Sequence, residues 1–115
     1  LFECDQPADS LYLLLGGAIE LWIVATGRNG HRRFLPAGEI RNGEVAGVSA
    51  LVPPYAYTAT GQVTKPSRLI KIDALTLREL SEIDPRLDSA LMHIVAEATM
   101  RRLNDARAQL LLTRK

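Results

Sequence analysis

Asp9-Ser10-Leu11-Tyr12-Leu13-Leu14-Leu15-Gly16-Gly17-Ala18-Ile19-Glu20-Leu21 sets the character of the first two thirds of the chain. Leu11 to Leu15 is a short apolar run, and Gly16-Gly17 after it is a turn signal. Beyond the glycines, Ala18 to Ala25 alternates in strand fashion. Ile19, Leu21 and Ile23 share one face and Glu20, Trp22 and Val24 the other. Gly27-Arg28-Asn29-Gly30 then reads as a hairpin loop, with glycines able to take positive φ. His31 to Leu35 is the returning strand, and Pro36-Ala37-Gly38 the next turn. Further on, Tyr57 to Thr64 is rich in Thr, Tyr and Val and suits a strand, Lys65-Pro66 breaks it, and Arg68 to Ile72 is the last strand. Short strands separated by frequent turns predict an antiparallel roll or barrel, not a helix-crossover sheet.

From Asp73 the pattern changes to helix. Asp73 caps a short helix over about 74–82, and Asp84-Pro85 restarts the chain, with Asp84 at the N-cap and Pro85 at the first helical position, where its missing N–H costs nothing. The second helix runs over about 85–112 without internal Gly or Pro. Met92, Ala96, Thr99, Leu103, Ala106, Leu110 and Thr113 recur at steps of four and three, a heptad seam that fits a second helix and predicts a homodimer. Leu87, Leu91, Ile94 and Ala98 form another stripe, which fits packing on the β roll.

Composition excludes several classes. The chain has 115 residues, enough for one domain, with 47% hydrophobic and 23% charged residues. Its net charge of +1 gives no basic face for nucleic acid. Cys4 is alone, so no internal disulfide can form, and this fits a reducing, cytoplasmic setting. His31 and His93 stand far apart, and no ligand spacing for a metal or cofactor occurs. The most apolar stretch, Leu11 to Ala25, is interrupted by Gly16, Gly17 and Glu20 and is too short to span a membrane. No catalytic constellation is evident, so the expectation is a protein that is not an enzyme. A cupin-like enzyme would need a His and carboxylate cluster that the two separated histidines do not provide.

The segment from Gly38 to Leu51 is small-residue-rich and carries Glu39 and Glu44. Gly43 lets a ligand approach the backbone, Glu44 can accept hydrogen bonds from a sugar hydroxyl, and a helical turn over Val45 to Ala50 would present N–H groups to an anion.

The order of these pieces resembles the cyclic-nucleotide-binding domain family, the effector domain of catabolite-activator-type regulators. Asp9 to Leu21 resembles the family's second and third strands, Leu35 to Glu39 the approach to its phosphate-binding cassette, and Asn42-Gly43-Glu44-Val45-Ala46 the cassette core. Tyr57-Thr58-Ala59-Thr60 resembles the cassette exit, Arg68 to Asp73 the last strand, and Asp84-Pro85 the helix restart. The resemblance implies a mainly β fold with C-terminal α, an antiparallel double-stranded β-helix (a jelly-roll-like barrel) over about 1–73 followed by a short and a long helix, all in one domain spanning 1–115. The family's leading helix and first strand would lie before Leu1, so a fragment of a longer regulator is expected. By position, the ligand-binding residues would be Gly43, Glu44, Val45, Ala46, Thr58 and Ala59. Glu44 would hold a ribose 2′-hydroxyl, the amides near Val45 and Ala46 would meet the cyclic phosphate of cAMP or cGMP, and the long helix would cap the base and carry the signal.

Two departures stand out. Asn42 replaces the phenylalanine before Gly-Glu, and the family's phosphate-binding arginine is missing, its place falling on Ala56 or Tyr57. Loss of such a charged partner weakens binding by roughly tenfold to several thousandfold. Arg41, Lys65 and Arg68 are possible substitutes, whereas Arg32-Arg33 and Arg101-Arg102 read as solvated basic pairs. Tyr55 and Tyr57 would flank the pocket and fill part of it. The alternative functions are therefore a degenerate, non-binding dimerisation module, or the effector fragment of a transcription regulator. This chain itself carries no helix-turn-helix and should not bind DNA.

Overall fold

The structure, a computed structural model, describes residues 1–113. Four strands, β1 (Ser10–Thr26), β2 (Arg32–Ile40), β3 (Val45–Ala46) and β4 (Thr60–Asp73), form one antiparallel sheet, with a single 3₁₀ turn at Val48–Leu51. Two helices follow, α1 (Ala74–Ile83) and α2 (Pro85–Thr113). β1 organises the sheet. β4 follows it from Ser10↔Asp73 to Trp22↔Thr60, β2 pairs with its second half from Ile19↔Ile40 to Thr26↔Arg32, and β3 pairs with Tyr12 and Leu13. The ladder stays open and does not close into a continuous barrel.

Three turns expected from Gly and Pro are bulges inside long strands. β1 passes straight through Gly16-Gly17, with register shifts against β4 between Leu14 and Ile19. Gly17 has φ 130°, and a Cβ there would overlap Ser67. The Ser67 hydroxyl instead accepts from Ala18 N–H at 3.1 Å and donates to Lys65 O at 2.8 Å. Lys65-Pro66 does not end β4. Pairing passes from Ala18↔Lys65 to Gly16↔Arg68, leaving Pro66 in the bulge, where it is spared a ladder bond it could not donate. Pro36-Ala37-Gly38 likewise lies within β2, and a register shift drops Ala37 between Trp22↔Pro36 and Leu21↔Gly38. Each bulge bends its strand, so the sheet curves as a roll without reversing the chain. The expected hairpin is formed, with Gly27 N–H donating to His31 O at 2.8 Å and Gly30 at φ 75°. The strand expected from Tyr57 begins at Thr60.

Two apolar clusters hold the molecule. Tyr12, Leu14, Ile19, Leu21, Ile40 and Ala46 fill the inside of the roll. Ala8, Leu11, Ala50, Leu51, Tyr57, Ala74 and Leu91 join the roll to the helices, with Leu87 and Val95 packed against them. Both helix starts follow the sequence. The Asp73 carboxylate accepts from Thr76 N–H at 2.9 Å, and Asp84 accepts from Arg86 N–H at 3.0 Å. On α2, Leu91 and Ala98 are buried and Ile94 is half-buried, while Met92, Ala96, Thr99, Leu103, Ala106 and Leu110 are exposed. Among the described residues, no helix is long and apolar enough to cross a membrane.

Candidate functional site

The chain between β2 and β4 forms a cassette against the start of β1. Gly43 N–H donates to Leu14 O at 2.7 Å, and Leu14 N–H donates to Glu44 O at 3.0 Å. Gly43 takes φ 87°, where a side chain would be strained. Gly47, at φ 83°, starts the 3₁₀ turn, and a Cβ on it would press on Ser10 O and the Tyr57 ring.

Beneath α2 the cassette encloses a cavity of about 70 Å³. Val45, Ala46, Ser49, Tyr57, Thr58 and Ala59 line it from the cassette and its exit, Leu21 and Ile40 from the sheet, and Ala98, Arg101 and Arg102 from α2. Val45, Ala46, Thr58 and Ala59 of the expected set thus share one cavity. Gly43 and Glu44 stand outside its lining. Glu44 lies in an adjoining polar recess with Glu39, Arg41, Arg101, Arg102, Asn104 and Asp105. Its Oε1 accepts from Arg41 N–H at 2.8 Å, and its Oε2 meets Arg101 Nε at 2.9 Å. Both side chains of that ion pair are largely buried, Glu44 being 18% and Arg101 34% exposed.

Of the two positions expected to stand in the arginine's place, Tyr57 lines the cavity and Ala56 the recess beside it. Tyr57 is 4% exposed, its hydroxyl donates to Ser10 O at 2.8 Å and accepts from Ser10 N–H at 3.3 Å, and its ring stacks on Phe2 with centroids 4.3 Å apart. Tyr55 does not line the cavity; it lies under the Arg78 guanidinium of α1, 3.9 Å from its ring centre. Arg41, Lys65 and Arg68 also lie outside the lining. The cations at the cavity are Arg101 and Arg102, the pair expected to be solvated. They continue the buried stripe of α2, since 91, 94 and 98 follow at steps of three and four and Arg101 and Arg102 lie three and four residues beyond Ala98. Carrying that periodicity past Ala98 would have found them. Among the described residues, no group of three or more His, Cys, Asp or Glu is gathered as a metal site would require.

Comparison with known proteins gives a consistent picture. The sequence profile of the cyclic nucleotide-binding domain matches residues 1–84. The chain is similar to a candidate cyclic nucleotide-binding protein from Geobacter metallireducens GS-15, at 36% identity and a TM-score of 0.74, covering 90% of this chain and 70% of that one. It shares its fold with a cyclic nucleotide-binding domain from Methylobacillus flagellatus KT, at 15% identity and a TM-score of 0.79, over 98% of this chain and 61% of that one. It shares it also with the c-di-GMP-responsive global regulator CLP of Xanthomonas campestris, at 19% identity and a TM-score of 0.74, over 96% of this chain and 52% of the regulator. A comparison with curated proteins returned no match.

Proposed function

This chain belongs to the cyclic nucleotide-binding domain family, and from that premise we propose that it is a cytoplasmic, non-enzymatic sensor domain spanning 1–115, whose ligand is cAMP, cGMP or a related anion. The observation that carries this reading is the Glu44–Arg101 ion pair, which joins the cassette to α2 at 2.9 Å. A ribose hydroxyl bound at Glu44 would share a carboxylate that Arg101 and the Arg41 N–H already hold, so ligand and helix meet at one group. Volume also involves the helix. Ligand pockets measure roughly 300–1,000 Å³, and about 70 Å³ lies beneath α2. A nucleotide seated wholly beneath α2 therefore requires α2 to move, and in this reading that motion is the signal. The exposed seam of α2 supports a homodimer as the body that reads it.

A second reading is favoured by Tyr57, which stands at one of the two positions expected for the arginine and is tied into the core through Ser10. On it, the chain is a non-binding interaction module or the effector part of a longer regulator.

Calorimetric titration of the whole chain with cAMP and cGMP, to millimolar concentration, separates the two. The sensor reading expects saturable binding, weakened by Glu44→Ala by roughly tenfold or more, the value of a hydrogen bond to a charged group. No saturable heat with either nucleotide removes cAMP and cGMP as ligands and favours the interaction module.

A further inference from the structure

Arg102 stands where four cavities meet. It lines the cassette cavity, the apolar groove beside Leu21, Ile23 and Leu35, a recess along Val48 and Val95, and the polar recess of Glu39, Glu44 and Asp105. Its Nη2 is engaged, donating to Glu39 O at 3.3 Å and facing Asp105 Oδ2 at 3.2 Å. Its Nε and Nη1 are shut off from solvent and meet no acceptor among the described residues. A guanidinium carries five N–H donors and cannot shed its charge. Donors of that strength, removed from water and left unmatched, are costly to the folded state, so the place beside them suits an acceptor.

The surroundings say which kind. The cassette cavity is lined by two cations, Arg101 and Arg102, and by no carboxylate. Arg101 is committed to Glu44 and, at 3.9 Å, to Glu97. Ser49 and Thr58 share both this cavity and the neighbouring recess with Arg102, and their hydroxyls lie 3.3 Å apart. We infer that Arg102 is the anion-binding residue of this cavity, taking the phosphate of an organic phosphate through its unmatched Nε–H as α2 shifts, with the Ser49 and Thr58 hydroxyls beside it. The inference rests on the reading that the cavity takes an anionic ligand, and it adds where the charge is met. The cation comes from α2, beyond the matched residues 1–84, in place of the one missing from the cassette. An anion held this way ties α2 to the cassette directly while Arg101 gives up Glu44, so one ligand exchanges one helix contact for another.

The test follows the Arg102 Nε–H resonance of the ¹⁵N-labelled whole chain, assigned by its absence in Arg102→Lys, during separate titrations with inorganic phosphate and with cAMP at low salt. A saturable shift with phosphate is expected, with affinity falling by roughly tenfold to a hundredfold in Arg102→Gln and unchanged in Arg107→Gln, which removes the same charge from an exposed position on the helix. If Arg102→Gln fails to fold by circular dichroism, the wild-type resonance decides alone. A shift with phosphate but none with cAMP upholds Arg102 as the anion site and removes cAMP as its ligand. Binding of cAMP that leaves the Arg102 resonance unmoved overturns this inference and spares the nucleotide reading. No saturable shift with either probe overturns it, as does phosphate affinity retained in folded Arg102→Gln.

Discussion

At Tyr57 one side chain does the work of three contacts. Its hydroxyl bonds to both backbone groups of Ser10, its ring stacks on Phe2, and its edge restricts position 47 to glycine. Burial pushes its phenol above the ordinary value of 10.0, against the opposing effect of the Ser10 bond. Tyr57→Phe keeps the ring and removes the oxygen, leaving a buried N–H and C=O of Ser10 short of a partner. Stability should fall by about 1–3 kcal/mol, read as a lower urea midpoint with unchanged slope; an unchanged midpoint would mean the hydroxyl bonds contribute nothing. Sequence could not tell that Tyr57 is held in the core, because its partner, Ser10, is 47 positions away. Arg102 was hidden for a related reason. A basic pair on a helix looks solvated until the sheet it packs against is known.

Among the elements, the helix starts were the most legible, because a cap is a local bargain between a carboxylate and N–H groups two or three residues on. Asp73 accepts from the Thr76 hydroxyl and N–H, which holds its carboxyl below the ordinary 3.8. A depressed folded-state value means that the ionised form favours the folded chain. The contribution is present at neutral pH and is lost as pH falls below the unfolded value and through the lower folded one. Carbon-detected titration should place Asp73 below 3.8, and Asp73→Asn should flatten this part of the acid limb of stability. An Asp73 titrating at or above 3.8 would refute the cap's charge dependence. Strand ends were misjudged for a matching reason. Gly16-Gly17, Pro36-Ala37-Gly38 and Lys65-Pro66 have turn chemistry, and a bulge uses the same residues. Only the facing strand shows whether the chain reverses or bends.

On the scale of the whole molecule, the longest dimension is 48 Å, close to the roughly 44 Å that a 29-residue helix spans at 1.5 Å per residue. α2 rests on the cassette with one face and turns a heptad seam outward. Met92 and Leu103 are each 42% exposed on it, positions a second copy would cover. The double change Met92→Glu and Leu103→Glu should convert a dimer into a monomer by sedimentation velocity while preserving helical content. A mass unaltered by the substitutions would remove the seam from the account of assembly.

Sequence by itself determined the antiparallel β character of the first part of the chain, the two capped helices, and the Gly43-Glu44 segment between the strands. All of these are local in the chain, written in periodicity, turn chemistry and residue order. The tertiary structure alone decided that Glu44 is held by Arg101, that Tyr57 is locked to Ser10, that the cavity beneath α2 is small, and that Arg102 stands beside it with unmatched donors. Those facts depend on α2 lying across the cassette and on the cassette exit lying against the start of β1, and a contact between distant segments is fixed by how buried faces fit together, which no single segment records.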